Sequence, residues 1–391
     1  MSIGFICLLL PFAATCGWIS GRKSKKTGGK KNTSVLRGDV FRGLNYLINE
    51  EPDKAVDVFI QLLDIDSDTV EIHLALGALF RRRGEISRAV RIHQNLIARP
   101  HLSNESRMAS ILALAKDYLA SGVLDRAENL LLELIKYGYD KKYVLDLLIE
   151  IYQQEKDWVK AIQIARKIQS KYSVSMVSVI TQFYCELAQN AIALSQLSEA
   201  MVYIDQALAI DKKSVRGILL KAGVEVSQGR YSNAIKWYKV VETHQIERLF
   251  EVLPTYCHCY LKCDKKVELK RKLQRMLAYS PEYFLRSSDA SVLTLVQDLD
   301  LISSSVLDAL DERPSLFGLY LSLKFDSQFT HSLTSSELSE KVQRGLHVLM
   351  GRQKQYQCSN CGFSVQDLLW LCPGCQRWDS MCAQSVLDHF S

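Results

Sequence analysis

The chain has 391 residues, 48% of them hydrophobic and 24% charged, with a formal net charge of +6; that length holds two or three domains with cores of their own. Six of the 49 basic residues, Arg22, Lys23, Lys25, Lys26, Lys30 and Lys31, fall in one short run without an acid, and setting them aside leaves 43 basic against 43 acidic residues. A nucleic-acid binder carries its positive excess on a folded face, so a neutral body with a basic leader argues against DNA or RNA as partner.

Ahead of that run lies an apolar stretch, Ile3 to Ile19. Its 17 residues, as a helix, span roughly 25 Å, the short end for a bilayer core. A cleaved signal peptide needs positive charge before its apolar region, and none lies between Met1 and Ile3. A lipoprotein signal ending at Cys16 is met only faintly by Ala13-Ala14-Thr15. Basic charge that follows the stretch keeps the next polypeptide in the cytoplasm. The expectation is an uncleaved transmembrane anchor over 1–20, with Pro11 tolerated as a mild kink, then a basic cytoplasmic linker over 21–38. The chain is then single-pass in a membrane, with its bulk on the cytoplasmic side.

Six helical repeats are expected over 39–245. Aligning the small residue that opens the second helix of each gives Ala55, Ala89, Ala127, Ala161, Ala200 and Ala234, spaced by 34, 38, 34, 39 and 34. A period of 34 is that of tetratricopeptide repeats. Twelve residues earlier stand Gly43, Gly77, Ala115, Ile149, Ala188 and Ala222; three residues further on come Tyr46, Phe80, Tyr118 and Tyr152, with Ala191 and Glu225 departing from the aromatic pattern. Gly84, Gly122 and Gly229 mark the turns between helices. Small residues let antiparallel helices approach and aromatics fill the wider gaps. A single unit cannot bury its apolar stripe, so units stack into a superhelix with a groove. Over 246–350 helical periodicity persists but the alanine–glycine register fades: Leu253 to Leu277 reads as a seventh unit, Pro281 to Phe329 as one or two more, and Glu340 to Met350 as a last helix.

Residues 351–391 form a different module. Cys358-x2-Cys361 and Cys372-x2-Cys375 are two knuckles, each a tight turn presenting two sulfurs, and two such turns close a tetrahedron around Zn²⁺ or iron. Gly362 follows the first knuckle, and Pro373 and Gly374 sit inside the second. Tyr356, Phe363, Trp370 and Trp378 offer aromatic cover. A segment this short needs a staple to fold, and four ligands with no opening describe a structural site. Cys358, Cys361, Cys372 and Cys375 are therefore the expected ligands, with one structural Zn per chain and Fe as the alternative. Cys382 is read as a bystander. The cluster Cys257-His258-Cys259 with Cys263 is read as buried small apolar residues, because adjacent ligands on a helix point apart.

No phosphate-cradling loop, HExxH or nucleophile elbow is present, and the expectation is a protein that is not an enzyme. His73, His93 and His101 fall at repeat positions, where a satisfied or exposed histidine is the default. Arg81, Arg82 and Arg83 read as a solvated face, with an acidic partner as the sharper alternative. Overall the fold class is all-α: a tetratricopeptide-repeat superhelix with an N-terminal transmembrane helix and a small C-terminal rubredoxin-like or zinc-ribbon module.

The combination resembles one family, LapB (formerly YciM), the lipopolysaccharide assembly protein B of Gram-negative bacteria. The residues that carry the resemblance include Leu8-Leu9-Leu10-Pro11 and Gly17-Trp18, Asp53-Lys54-Ala55, Gly77, Leu79-Phe80-Arg81, Arg91-Ile92-His93-Gln94, Leu124-Asp125-Arg126-Ala127 and Phe183-Tyr184-Cys185-Glu186. In the ribbon they are Tyr356, Cys358, Cys361-Gly362-Phe363, Trp370 and Cys372-Pro373. The resemblance implies a protein of the inner membrane's cytoplasmic face that promotes degradation of the LpxC deacetylase by the FtsH protease and is antagonised by a LapC-type inner-membrane regulator. It also implies a rubredoxin-like module packed on the repeats. Gln376 departs from the glycine usual in a rubredoxin knuckle, and the gap between knuckles is shorter than in rubredoxins, which favours structural zinc. A scaffold that gathers lipopolysaccharide enzymes without a proteolytic role is the alternative. The sequence leaves the oligomeric state open, a homo-oligomer included.

Overall fold

The computed structural model describes residues 45–46, 54, 57–58, 69–100, 102–139, 141–280, 284, 290–298 and 356–383. The expected anchor (1–20), the basic linker (21–38), most of the first repeat with Gly43 and Ala55, His101, and the helices and joint expected between 299 and 355 lie outside them. Among the described residues no helix is long and apolar enough to cross a membrane. The chain divides into two compact units, Met1–Asp157 and Trp158–Ser391.

In the first unit α1 (Thr69–Arg82), α2 (Ile86–Ile97), α3 (Asn104–Ala120), α4 (Leu124–Lys136) and α5 (Lys142–Glu155) each pack on the next. Local chemistry sets the ends: the Ser103 hydroxyl accepts the Ser106 amide at 3.1 Å and caps α3. Asp117, fully buried on α3, accepts from Arg81 at 2.7 Å and lies 2.5 Å from Nδ1 of the buried His93. Arg81 is thus turned inward onto a carboxylate, whereas Arg82 and Arg83 are exposed. Gly77 permits this arrangement, since a Cβ there would stand 2.3 Å from His93 Nε2.

The second unit continues with α6 (Trp158–Tyr172), α7 (Val177–Ala193), α8 (Leu197–Ile210), α9 (Val215–Ser227), α10 (Tyr231–His244), a 3-10 turn over Ile246–Val252, α11 (Leu253–Lys262), α12 (Lys266–Tyr279) and α13 (Ala290–Asp298). Pro254 sits in the first turn of α11, where its missing N–H costs nothing.

The marked alanines are structural. Ala89, Ala127, Ala161, Ala200 and Ala234 are each the fourth residue of a helix and have no exposed surface. Five residues before each stands a residue in the left-handed region: Gly84 (φ 80), Gly122 (φ 74), Lys156 (φ 58), Ser195 (φ 60) and Gly229 (φ 73). The turn there is one recurring motif. Gly84 N–H donates to the Arg81 carbonyl at 3.0 Å and Glu85 N–H to that of Phe80 at 2.9 Å, and the same pair recurs at the other four. Lys156 and Ser195 fill a glycine position with a Cβ, which is why the sequence pattern marks only three of the five turns.

The register also runs past residue 253, where the sequence pattern had faded. Cys257 takes the small position, Tyr260 the aromatic one, Asp264 (φ 54) the turn and Leu269 the alanine position. Asp264 N–H reaches the Leu261 carbonyl at 3.1 Å and Lys265 N–H that of Tyr260 at 3.0 Å. Cys257 and Cys259 are buried among apolar residues, and burial pushes the Cys259 thiol up to about 11. Glu225, the departure from the aromatic pattern, instead pairs across its turn with Arg230, whose hydrogen bond holds the carboxylate below its usual range.

The C-terminal module is a three-stranded antiparallel sheet of β1 (Tyr356–Cys358), β2 (Ser364–Val365) and β3 (Met381–Ala383), in the order β2-β1-β3. Tyr356, Cys358, Cys372, Met381 and Ala383 belong to the same core as α9, α10, α11 and α12.

Candidate metal centre

Two knuckles of matching geometry hold the four expected cysteines. Cys358 N–H donates to the Phe363 carbonyl at 2.8 Å and Gly362 N–H to that of Cys358 at 2.9 Å. In the second knuckle Cys372 N–H donates to the Arg377 carbonyl and Gln376 N–H to that of Cys372, both at 2.9 Å. The fifth residue of each is left-handed: Gly362 at φ 74 and Gln376 at φ 57. Glutamine thus takes the backbone conformation that suits glycine, with the strain a Cβ brings there.

The four Sγ atoms of Cys358, Cys361, Cys372 and Cys375 lie within 4.8 Å of one another. Cys358 and Cys375 stand 3.6 Å apart, as do Cys361 and Cys372. Four sulfurs bound tetrahedrally at a metal–sulfur distance of about 2.3 Å are about 3.8 Å apart, so the cluster fits a four-coordinate ion. Hydrogen bonds surround the sulfurs as such a site needs. Ser380 Oγ lies 3.3 Å from Cys358 Sγ, and the amides of Cys361 and Asn360 point at the same sulfur. Burial raises the Cys358 thiol, but these hydrogen bonds outweigh it and bring it to about 6. The Asn360 side chain lowers Cys375. Against the pull of the Phe363 amide, the three neighbouring thiols crowd Cys361 and push it up. Crowded sulfurs, two of them on thiols held below the ordinary range, are a set that a cation stabilises. Cys382 lies outside the cluster.

The ribbon is docked on the helices of its own unit. Arg216, 3% exposed on α9, donates to Gln182 at 3.1 Å and to Glu186 and Gln189 at 2.7 Å on α7. Its guanidinium lies 5.4 Å from the Trp370 ring and 5.9 Å from that of Trp378. Arg248 covers Trp370 at 5.2 Å while bonding Asp379 at 3.0 Å and the Met381 carbonyl at 3.1 Å. Trp378 meets Trp158 and Phe183 edge-on at 6.1 and 5.9 Å, and the Tyr356 hydroxyl donates to Glu251 at 2.8 Å. Trp370, Trp378 and Tyr356, expected as cover for the sulfurs, therefore find their partners on the helices.

The family described as rubredoxin metal binding domain matches residues 356–382. Lipopolysaccharide assembly protein B of Escherichia coli (strain K12) is 32% identical over 389 residues, 96% of this chain and 96% of its own length. Its counterpart in Haemophilus influenzae (strain Rd) is 31% identical over 401 residues, 99% of this chain and 100% of its own. The chain belongs to the lipopolysaccharide assembly protein B family. Among solved structures, a crystal structure of MamA overlaps 47% of this chain and 96% of its own at 15% identity and a TM-score of 0.33. Pseudomonas aeruginosa pilF overlaps 56% and 96% at 15% identity and 0.29. The repeat architecture rests on the register of alanines and left-handed turns. In this member of the lipopolysaccharide assembly protein B family, sequence reasoning missed Arg216 and Arg248, whose partners lie far along the chain. The one signal for them was a pair of tryptophans on a module too small to bury both.

Proposed function

We propose that this chain is a membrane-anchored, non-enzymatic adaptor in lipopolysaccharide assembly, which brings the LpxC deacetylase to the FtsH protease and is restrained by a LapC-type inner-membrane regulator. Cys358, Cys361, Cys372 and Cys375 hold a single structural Zn²⁺, a closed crosslink that keeps the knuckles folded. The carrying observation is the 32% identity to lipopolysaccharide assembly protein B across 96% of both chains, supported by helical repeats that offer recognition surface and by a metal module fastened to them. The anchor over 1–20 puts that surface beside a membrane protease and makes encounter effectively intramolecular.

The test is the half-life of the LpxC deacetylase in the source bacterium with this chain present and depleted. Stabilisation on depletion is expected. An unchanged half-life discards the adaptor reading and leaves the scaffold alternative. Metal analysis of purified protein is expected to give one zinc per chain and no colour; bound iron with visible absorbance would sink the zinc assignment.

A further inference from the structure

A concentrated charge is hidden in the neutral balance of the chain. From Lys262 to Arg275 seven residues are basic and two acidic. Outside this stretch, and outside the basic run near the N-terminus, the chain is acidic in balance. The stretch is α12 with the turn before it. Leu269, Leu273, Met276 and Leu277 form the buried stripe of the helix. The opposite stripe, Val267, Arg271, Gln274, Arg275 and Ala278, is exposed and carries no acid. Lys262, Lys265, Lys266 and Lys270 gather around the start of the helix. Lys265 and Lys266 thus stand at the end where the helix dipole favours acids, so the fold itself gains nothing from cations there.

The acids packed against this helix are already engaged. Glu268 bonds Lys239 on α10 at 3.0 Å, and Glu242 on α10 pairs with Lys272. The hydrogen bond from Lys239, against burial and helped by the charges of Lys272 and Lys265, holds the Glu268 carboxyl below its usual range. Among the described residues, Lys262, Lys265, Lys266, Lys270, Arg271 and Arg275 bond no carboxylate. Asp264 in the turn and Glu247 near Tyr279 are too few to balance them. The missing charge is therefore an anion from outside the helix, and the apolar side chains on the same side say which. Val267 is 76% exposed amid the cations, with Leu261 at 37% and Tyr279 at 50%. Cations around an exposed aliphatic side chain and a tyrosine are the make-up of a helix that lies on an anionic membrane, with phosphates at the cations and apolar groups between the headgroups. A nucleic acid or an acidic peptide answers the charge and leaves Val267 in water.

We propose that α12 and the turn before it form a membrane-contact face, which binds the phosphates of anionic phospholipid headgroups through these six cations and seats Val267 between them. The inference rests on the membrane-anchored reading and adds to the anchor a second point of attachment, one that responds to lipid charge.

The test places the full chain in nanodiscs of phosphatidylcholine, alone or mixed with phosphatidylglycerol, and reads lysine acylation residue by residue by mass spectrometry. In the anionic discs Lys262, Lys265, Lys266 and Lys270 are expected to react about fivefold more slowly than in the neutral discs. Lys212 and Lys213, exposed before α9, are expected to keep their rates. High salt is expected to abolish the difference. Arg271→Glu combined with Arg275→Glu, both on the exposed stripe, is expected to keep the Tm and remove most of the protection. Equal rates in the two discs, or protection unmoved by the double variant, overturns the inference. Protection already complete in neutral discs means that the chain covers the face itself, and overturns it too. So does protection that inorganic phosphate, an acidic peptide or an oligonucleotide supplies in neutral discs as fully as the anionic lipid does. A chain that enters neither disc refutes the anchor and the inference with it; a chain that enters both and reacts alike in them keeps the anchor and loses the face.

Discussion

Lys156 and Ser195 hold φ values of 58 and 60 at turns where Gly84, Gly122 and Gly229 do the same without a Cβ. A side chain in the left-handed region costs about 1 kcal/mol. Lys156→Gly and Ser195→Gly are therefore each expected to raise stability by about 0.5–1 kcal/mol, offset in part by glycine's freedom in the unfolded chain. Urea midpoints at constant m value measure this. Gln376→Gly relieves the same strain inside the second knuckle, and the variant is expected to keep its metal at a higher chelator concentration than wild type does; equal or earlier loss contradicts the strain argument. The buried pair Asp117 and His93, with half-buried Arg81, makes the opposite prediction. Asp117→Ala strands a guanidinium and an imidazole beside a void and is expected to cost about 3 kcal/mol, visible as a drop in Tm, while Arg82→Ala on the exposed side is expected to leave Tm within about 1 °C. The solvated-face reading of this arginine run holds for Arg82 and Arg83 and not for Arg81, because the acid it answers is 36 positions away.

At the scale of elements, what was legible follows from distance along the chain. Each knuckle is written within a few residues and each helix pair with its alanine slot within one repeat of sequence, and the structure repeats that local grammar. Leu253 to Tyr279 looked degenerate because three positions changed identity together, to Cys257, Asp264 and Leu269, although the backbone register is unbroken. The dock was not legible, because Arg248 and Asp379 are 131 positions apart and nothing local marks an arginine that will lie on a tryptophan. Arg216 is the centre of that dock. Arg216→Ala leaves Glu186 and two glutamines on α7 without their donor and takes one cation from the faces of Trp370 and Trp378, a loss of about 3 kcal/mol. Arg216→Lys keeps the charge and loses the planar fork. Both are expected to loosen the ribbon, read as faster protease cleavage around the knuckles and a red-shifted tryptophan emission. A ribbon as resistant in Arg216→Lys as in wild type would assign the dock to burial of Trp378 alone.

At the scale of the whole molecule, the cysteine cluster and the dock are one dependency. The four cysteines hold the knuckles, the knuckles hold Trp370 and Trp378 against α7 and α9, and the core of the second unit includes Cys358 and Cys372 themselves. Stripping the metal is accordingly expected to uncover apolar surface in the helices as well as in the ribbon, measured as a rise in dye binding and a lower Tm that zinc restores. The most direct measurement is the half-life of the LpxC deacetylase in cells whose only copy of this chain carries Cys358→Ser and Cys361→Ser, beside cells with wild type and with none. The account predicts a half-life as long as in depleted cells, with the variant protein present at the membrane. Turnover as fast as with wild type would contradict it, and would leave the ribbon without a part in the function.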